Sequence, residues 1–364
     1  MALSWIIAGG GTGGHVTPAL ALGEVIKERG EKLLFIGSQH GLEAKLVPDA
    51  GFELLALPSQ QVMGRSLSGR ITGILRILSQ VRAARRALLD RHADVVISVG
   101  GFAAMPAALA ALATRRPLIL VEPNAIPGRV NRITARFARM IFLGFAQAAD
   151  SLSSARPVQH VGIPLRNDMT KAFNASGSRP EATLPLHLLI FGGSQGAHQI
   201  NETMIAIAPD IAHLEIEIFH QTGKADLVAV REAYAKANIK STVVEFEYDM
   251  PSRYQWADLA ISRAGALTVA ELALAGLPAF LVPYPFASDN HQVANAEALS
   301  RVGAAECLDS KPLNPSELIE KLKTISGEPK RLSAMSQSAM SLSRPLAARQ
   351  IIDQTIQIVQ ESAV

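Results

Sequence analysis

The chain has 364 residues, 48% of them hydrophobic, and its 35 Lys and Arg side chains exceed its 32 Asp and Glu side chains by only three. A chain of this length and hydropathy can bury more than one core, which excludes a disordered protein and predicts two domains. The single cysteine excludes an internal disulfide framework, and no close His or Cys spacing indicates a metal site.

In the first half, short apolar runs alternate with helical patterns. The first predicted strand, residues 4–7, runs into glycines and is followed by a helix that Thr17 caps, with Pro18 at its first position. Further strands are predicted at 32–36, 53–57, 94–99, 118–121, 140–143 and 158–161. This alternation predicts a parallel, doubly wound sheet.

The alternation restarts after a loop-like segment at 174–185. Strands are predicted at 186–191, 215–219, 242–246, 259–262, 279–282 and 304–308, and helical sequence continues from 314 to the end. We therefore predict an α/β fold with two doubly wound parallel-sheet domains and a boundary near residue 165. Such sheets bind ligands at the carboxyl ends of their strands, which predicts a site in the cleft between the domains.

Two glycine-rich turns, residues 9–14 and 192–197, each follow a predicted strand and each open a helix. Backbone N–H groups at a helix start favour phosphate, so these turns predict a phosphate-handling site in each half. The first turn matches the Gly-x-Gly-x-x-Gly dinucleotide pattern, but that pattern needs an acidic residue at the end of the second strand, and residues 35–39 contain none. A nicotinamide-dependent dehydrogenase is therefore not favoured, and no P-loop sequence indicates a nucleotidase.

His15 directly follows the first glycine turn at a helix N-terminus. The helix dipole disfavours an imidazolium there, so the neutral ring can accept a proton, and we interpret His15 as a candidate general base rather than a loop cap. In the second glycine turn, Ser194 and Gln195 add a hydroxyl and an amide to the backbone donors, as a diphosphate site requires. The alternative for that turn is a tight strand–helix connection that glycine serves equally well.

A third turn, residues 262–268, places small residues and Thr268 at another helix start. Glu271 lies one helical turn further, where its carboxylate can receive both hydroxyls of a ribose; the alternative is a partner of the helix dipole. Gln292 belongs to a polar cluster at the next helix start, which by itself is typical of a solvated cap.

Positive charge is concentrated in the first half, where residues 1–165 contain 18 Lys and Arg against 10 Asp and Glu; the remainder contains 17 against 22. The excess is greatest in the basic segment, residues 65–91, where apolar residues recur at helical spacing. Such a helix can rest on an anionic membrane or simply pack on the sheet, and no interleaved aromatics indicate nucleic acid. The candidate membrane contacts are Arg65, Arg70, Leu75, Arg76, Leu78, Arg82, Arg85 and Arg86.

Taken together, these motifs resemble the MurG family, the bacterial peptidoglycan glycosyltransferases. The residues that carry the resemblance are 10–15, Asn124, Gly128, Asn131, Arg132, 162–166, 192–197, Phe246, Asp249, Met250, 263–271 and 289–296. The resemblance implies the GT-B fold, with two Rossmann-like domains that face each other across a cleft. Residues 1–165 would form the acceptor and membrane-facing domain and 166–345 the donor domain, while a helix at about 346–364 packs back onto the first.

The resemblance also implies the reaction, an inverting transfer of N-acetylglucosamine from UDP-N-acetylglucosamine to the 4-hydroxyl of undecaprenyl-linked N-acetylmuramoyl-pentapeptide (lipid I). It places Glu247 at uracil, Glu271 at ribose, and Ser194 and Gln195 at the diphosphate. The other donor-binding residues that it implies are Thr12, Gly13, Gly14, Asn124, Arg166, Ala266, Leu267, Thr268, Val269 and Gln292. No cofactor and no metal are expected, in line with the absence of any Asp-x-Asp pair.

One departure from the family pattern concerns catalysis. The family has His-Glu-Gln-Asn where this chain has Val121-Glu122-Pro123-Asn124. This leaves His15 as the stronger base and Glu122 as the second candidate, or leaves catalysis to positioning with no dedicated base. The expected location is the cytoplasmic face of the inner membrane, as a peripheral protein with cell-wall or divisome proteins as candidate partners. A UDP-N-acetylglucosamine 2-epimerase of the same fold and a non-catalytic nucleotide-sugar-binding regulator are the alternatives.

Overall fold

The computed structural model describes residues 2–58, 67–152, 156–173, 179–193, 195–287 and 290–362, with side chains of the helix at 67–90 described from residue 79 onward. The chain divides into two compact units, Met1–Asn167 with Arg344–Val364, and Asp168–Ser343. Each unit contains a fully parallel sheet, which confirms the predicted α/β class.

The sheet of the first unit has seven strands in the order β3-β2-β1-β4-β5-β6-β7. The strands are β1 Ser4–Gly9, β2 Lys32–Ser38, β3 Leu54–Leu57, β4 Val95–Gly100, β5 Leu118–Glu122, β6 Met140–Leu143 and β7 Val158–His160. The helices of this unit are α1 Gly13–Glu28, α2 Glu43–Asp49, α3 Leu67–Asp90, α4 Met105–Ala113, α5 Arg129–Thr134 and α14 Ala347–Ser362. Short 3-10 turns lie at Phe102–Ala104, Ala135–Phe137 and Ala146–Ser151.

Both faces of this sheet are covered, which explains why its strands read as continuous apolar runs. Successive side chains of a strand point to opposite faces. Trp5 and Ile7 of β1 pack in the cluster that includes Ile351 and Ile352 of α14. Ile6 of β1 belongs to the opposite cluster, which α3 and α4 cover.

The sheet of the second unit has six strands in the order β10-β9-β8-β11-β12-β13. They are β8 Leu186–Phe191, β9 Ile216–Gln221, β10 Ser241–Val244, β11 Leu259–Ser262, β12 Ala279–Leu281 and β13 Ala305–Cys307. The helices are α6 Asn167–Phe173, α7 His198–Ile211, α8 Leu227–Lys236, α9 Met250–Trp256, α10 Ala266–Ala275, α11 His291–Ser300, α12 Pro315–Gly327 and α13 Arg331–Ser341. The predicted strands of both units are recovered, with ends that differ by a residue or two.

A buried polar chain crosses the core of the second unit. In the His220 ring, Nδ1 lies 2.9 Å from the Tyr234 hydroxyl oxygen, and Nε2 lies 3.0 Å from Asn201 Oδ1. All three residues are almost completely inaccessible to solvent. Burial lowers the pKa of His220 to about 3, so the ring is neutral in the folded protein.

The start of α1 differs from the prediction. The helix begins at Gly13 with Thr12 as its N-cap residue, so Thr17 and Pro18 lie inside it. The N–H groups of His15 and Val16 already bond to the Thr12 carbonyl at 3.1 Å, so the glycine turn itself starts the helix. Pro18 lies beyond the first turn, where a proline lacks the N–H that would bond to the carbonyl four residues earlier.

Candidate active site

The two glycine turns leave their sheets at equivalent places. Gly9 of β1 is paired with Gly100 of β4, and Phe191 of β8 is paired with Ser262 of β11. In each sheet the first strand has its successor on one side and a later strand on the other. Open α/β sheets bind ligands at such switch points, beyond the carboxyl ends of the strands.

The first glycine turn stacks on the turn that follows β4. Gly11 and Gly101 have φ angles of +90° and +79°, in the region that favours glycine. A methyl group on Gly101 would collide with the backbone carbonyl of Gly10. These two turns therefore touch through their backbones.

His15 is the third residue of α1 and is partly buried. Its Nδ1 lies 3.1 Å from the hydroxyl oxygen of Thr12. Its ring lies over Gly100, where a methyl group would approach Cδ2 of His15 to 3.2 Å and the side-chain amide of Asn131 to 3.3 Å. Thr12, Gly13, Gly14 and His15 thus form one continuous segment at the start of α1.

The side chain of Glu43, a residue that the sequence analysis did not single out, contacts the first glycine turn. Its carboxylate accepts the backbone N–H of Gly11 at 2.8 Å and that of Ser38 at 2.7 Å. The residue is only 1% exposed. The sequence signal is a glutamate flanked closely by Gly37 and Gly41 just after β2, but its contact with Gly11 spans 32 residues and leaves no local pattern.

Glu122, the second candidate base, ends β5 and is also 1% exposed. Oε1 accepts the N–H of Asn124 at 2.9 Å, while Oε2 accepts the N–H of Gly128 and the side-chain amide of Asn131, each at 2.9 Å. Burial raises the pKa of Glu122, and these hydrogen bonds oppose the rise. The carboxylate therefore organises its own loop.

Three further residues of the first unit lie in two different environments. Val121, which stands where the family has histidine, is buried in the apolar cluster of the first sheet. Asn124 and Arg166 are partly buried on connecting segments of the same unit. Val121 cannot transfer a proton as a histidine would. At this position the chain therefore has a residue that contributes to core packing.

The second glycine turn docks on the turn that follows β9. Gly193 and Gly196 have φ angles of +92° and +76°, and a side chain on Gly196 would collide with the carbonyl of Thr222. Gln195 is exposed at this turn. Ser194 lies outside the described residues.

Helix α10 starts beside the second glycine turn because β11 pairs with β8. Gly265 is its N-cap residue, and the first intrahelical bond runs from the Val269 N–H to the Gly265 carbonyl at 2.9 Å. The N–H groups of Ala266, Leu267 and Thr268 precede that bond and point along the helix axis toward its N-terminus. The predicted diphosphate-binding segment 266–269 is thus the first turn of α10.

Glu271 lies in the second turn of α10 and is partly buried. The Tyr254 hydroxyl donates a hydrogen bond to Glu271 Oε2 at 2.8 Å. The Tyr254 ring packs edge-on against Phe191, 5.8 Å between centroids, and Phe191 directly precedes the second glycine turn. Tyr254 therefore connects the predicted ribose carboxylate to the predicted diphosphate turn, and the sequence analysis missed it.

Glu247, predicted at uracil, has both carboxylate oxygens engaged. Oε2 accepts from Nε of Arg253 and Oε1 from the backbone N–H of Asp249, each at 2.8 Å. The neighbouring Phe246 ring is 42% exposed. The Glu247 carboxylate is therefore held within its own unit, next to an exposed aromatic ring.

Gln292 lies in the first turn of α11, and its Oε1 accepts the backbone N–H of Tyr284 at 2.8 Å. Asn295, one turn further, donates from its side chain to the carbonyl of Ala264 at 3.2 Å. This bond ties α11 to the residues that lead into α10. The predicted polar cluster therefore holds the loop after β12 and the start of α10 together.

The basic segment contains α3. Ala84 and Leu88 of this helix are buried against the sheet, while Arg82, Arg85 and Arg86 are exposed. Arg86 lies 3.4 Å from Asp90. Arg65 and the side chains of Arg70, Leu75, Arg76 and Leu78 lie outside the described residues.

The described ranges contain neither a membrane-spanning helix nor a cluster of metal ligands. Within them, no helix combines the length and the apolar character that a membrane span needs. No three His, Cys, Asp or Glu side chains of the same ranges come together as ligands of a metal ion would.

The sequence matches two family models in order. Residues 5–143 match the glycosyltransferase family 28 N-terminal domain, and residues 187–351 match the C-terminal domain of that family. The chain is 40% identical to the UDP-N-acetylglucosamine–N-acetylmuramyl-(pentapeptide) pyrophosphoryl-undecaprenol N-acetylglucosamine transferase of Alkalilimnicola ehrlichii, over 96% of this chain and 97% of that protein. The transferase of the same name from Coxiella burnetii is 37% identical, with the same coverage.

Among solved structures, the chain resembles MurG of Acinetobacter baumannii with 31% identity and a TM-score of 0.79, over 97% of this chain and 99% of that one. This chain belongs to the MurG family. A UDP-N-acetylglucosamine 2-epimerase of Listeria monocytogenes superposes with a TM-score of 0.71 at 13% identity, over 99% and 98% of the two chains. At that identity the similarity to the epimerase shows a shared fold alone. The family matches confirm the predicted resemblance to MurG and the GT-B fold class.

Proposed function

We propose that this chain transfers N-acetylglucosamine from UDP-N-acetylglucosamine to the 4-hydroxyl of lipid I, which yields lipid II for peptidoglycan synthesis. The observation that carries the proposal is similarity over nearly the whole chain to relatives named for this transfer, at 35–40% identity. The arrangement of helix starts and glycine turns at both switch points supports it, because both substrates carry a diphosphate.

The donor binds to the second unit in this proposal. Glu271 receives the ribose hydroxyls, and the diphosphate lies at the second glycine turn with Ser194 and Gln195. The first turn of α10, residues 266–269, contributes the N–H groups of Ala266, Leu267 and Thr268, and Gln292 lies toward the sugar. Phe246 and the backbone of Glu247 contact uracil, which is consistent with the engagement of the Glu247 carboxylate by Arg253.

His15 is the proposed general base. It removes the proton of the acceptor 4-hydroxyl while that oxygen forms a bond to the anomeric carbon and the bond from this carbon to the UDP oxygen breaks. The attack inverts the α-linked donor to a β-linked product. Thr12, Gly13, Gly14, Asn124 and Arg166 surround the donor sugar and phosphates. Glu122 stays the alternative base, although its burial favours a role in shaping its loop.

Departure of UDP requires stabilisation of negative charge on the diphosphate. The start of α10 and the second glycine turn provide backbone N–H groups and the positive end of a helix dipole for this purpose. We therefore propose a transfer that needs no metal ion.

The acceptor is anchored in a membrane, so the enzyme has to work at its surface. We propose that the exposed arginines of α3 hold the protein peripherally on the cytoplasmic face of the inner membrane. Arg82, Arg85 and Arg86 support this proposal, because they occupy one side of α3 and are exposed. Binding to cell-wall or divisome proteins stays a prediction.

The test is incubation with UDP-N-acetylglucosamine and a lipid I analogue in the presence of EDTA, with UDP release and glycolipid mass as readouts. The proposal expects UDP release only when the acceptor is present, together with a product heavier by one N-acetylhexosamine. Epimerised donor without acceptor would identify the epimerase instead. Donor binding without either product would identify a regulator.

A further inference from the structure

The first glycine turn packs around a buried acidic side chain, that of Glu43. Both carboxylate oxygens accept backbone N–H groups, one from Gly11 and one from Ser38. The residue begins α2 and is almost completely inaccessible to solvent. The N–H of Gly11, which the sequence alone would assign to a ligand phosphate, is therefore already bound within the protein.

Three glycines from separate segments surround this carboxylate. A methyl group on Gly10 or on Gly41 would collide with the carboxylate itself, and one on Gly37 would approach Cγ of Glu43 to 2.5 Å. Glycine is thus required at these positions because they wrap the Glu43 side chain. In a dinucleotide-binding fold an acidic residue after the second strand holds a ribose, whereas here the acid after β2 turns back into the glycine turn.

The position of His15 depends on this contact through a short chain of bonds. Gly11 is covalently followed by Thr12, whose carbonyl accepts the His15 N–H at 3.1 Å and whose hydroxyl lies 3.1 Å from His15 Nδ1. Gly11 adopts its φ of +90° without steric cost, and the same backbone freedom of glycine leaves the turn dependent on support from neighbouring groups to hold one conformation. The hydrogen bond from Gly11 to Glu43 supplies that support.

We propose that Glu43 is a positioning residue that fixes the first glycine turn and thereby holds His15 in place for proton transfer. This proposal rests on the proposed transferase function and on His15 as its base. It predicts that a change at Glu43 affects turnover, while the donor residues of the second unit, which lie on other segments, keep their affinity for UDP.

The first test is the Glu43→Gln variant. Its amide can accept only one of the two backbone N–H groups, and the other then faces an NH₂ donor. We expect kcat to fall roughly 10- to 100-fold while the Kd for UDP, which the second unit binds in the proposal, stays within about twofold of wild type. The matched control is Glu53→Gln, which removes an exposed carboxylate of the same unit and should leave kcat unchanged. An unchanged kcat in Glu43→Gln would overturn the proposal.

A second variant distinguishes loss of the Glu43 contact from general misfolding. Gly41→Ala keeps every charge and lies outside the glycine turn, but its methyl group would displace the carboxylate. We expect the same selective loss of kcat, whereas Gly327→Ala, which places a methyl group in open space, should behave as wild type. Equal activity of the two alanine variants would contradict the positioning role.

Amide hydrogen exchange separates this proposal from the proposed function. In protein labelled with ¹⁵N-glycine, the Gly11 N–H should be protected in wild type and should exchange roughly tenfold faster or more in Glu43→Gln. If the wild-type chain transfers no sugar, the proposed function fails on its own account. Unchanged Gly11 exchange in the variant would then still refute the role of Glu43.

Discussion

The hydroxyl of Tyr254 donates to the carboxylate of Glu271 across 2.8 Å, although the two residues belong to different helices. Tyr254 is fully buried and its ring rests on Phe191, at the end of the strand that leads into the second glycine turn. The tyrosine thus sets the orientation of a partly exposed carboxylate from within the core. In the proposed donor site, recognition of the ribose by Glu271 depends on that orientation.

Replacing Tyr254 with Phe should weaken donor binding selectively. The ring and its contact with Phe191 stay, but Glu271 loses the hydrogen bond that fixes its rotamer. We expect the KM for UDP-N-acetylglucosamine to rise roughly tenfold, equivalent to about 1.4 kcal/mol, with little change in kcat. Steady-state kinetics and titration calorimetry with UDP measure the two effects.

Tyr234→Phe is the matched control for this experiment. Tyr234 is an equally buried tyrosine of the same unit, but its hydroxyl meets His220 in the core rather than a predicted ligand contact. It should lower the melting temperature without raising the donor KM. A comparable rise of KM in both variants would mean that the effect is general destabilisation.

Substitution of His15 by Ala should lower turnover far more than donor affinity. Loss of a positioned general base costs roughly 10²- to 10⁴-fold in rate, and His15 lies on a different segment from the donor residues of the second unit. The measurements are kcat with a lipid I analogue and the Kd for UDP. Turnover near the wild-type value would transfer the assignment to Glu122, for which Glu122→Gln is the companion variant.

Stability should decrease in mild acid because of His220. Its pKa is about 3 in the folded protein and near 6.5 when unfolded, so below pH 6.5 the unfolded state binds a proton that the folded state does not. The stabilisation is complete above pH 6.5 and is lost progressively as the pH falls toward 3. The expected slope is about 1.4 kcal/mol per pH unit in the free energy of unfolding.

Urea unfolding at pH 7.5, 6 and 5 tests the contribution of His220. His220→Gln should be less stable than wild type at pH 7.5, but its stability should depend less steeply on pH. The exposed His213, replaced by Gln, provides the control and should leave the wild-type slope unchanged. An equal slope in wild type and His220→Gln would show that other groups govern the acid response.

Removal of the exposed arginines of α3 should weaken membrane binding. Each basic residue near an anionic surface contributes about 1 kcal/mol, so Arg82→Gln, Arg85→Gln and Arg86→Gln together should reduce vesicle affinity roughly 100-fold. Cosedimentation with phosphatidylglycerol vesicles measures this. The charge-matched control replaces the exposed Lys311, Lys330 and Arg331 of the second unit by Gln. The same loss in the control would indicate net charge rather than a specific surface.

Apolar patterning predicted the sheets well, for a physical reason. Strands covered on both faces need apolar residues at every position, and glycines or charges end each run sharply. The start of α1 was predicted wrongly at Thr17, because a capping residue followed by proline is only a local preference. In the folded chain, helical hydrogen bonds begin at the Thr12 carbonyl, within the glycine turn at residues 9–14. The helix therefore starts before Thr17, despite the local capping preference of that residue.

Long-range partners of the site could not be predicted in the same way. Glu43 reaches Gly11 over 32 residues and Tyr254 reaches Glu271 over 17, so neither contact produces a periodic pattern. A tyrosine in a helical segment is typical of a core residue, and Tyr254 is one. Its function follows only from where the folded core places its hydroxyl.

The helix α14 has a consequence for the order in which the protein is made. The first unit contains both residues 1–167 and the last segment of the chain, and Ile351 and Ile352 complete the cluster around Trp5. The second unit is one continuous stretch, 168–343, and is fully synthesised earlier. Because domains fold as units during synthesis, the first unit must wait until α14 has been translated before its core closes.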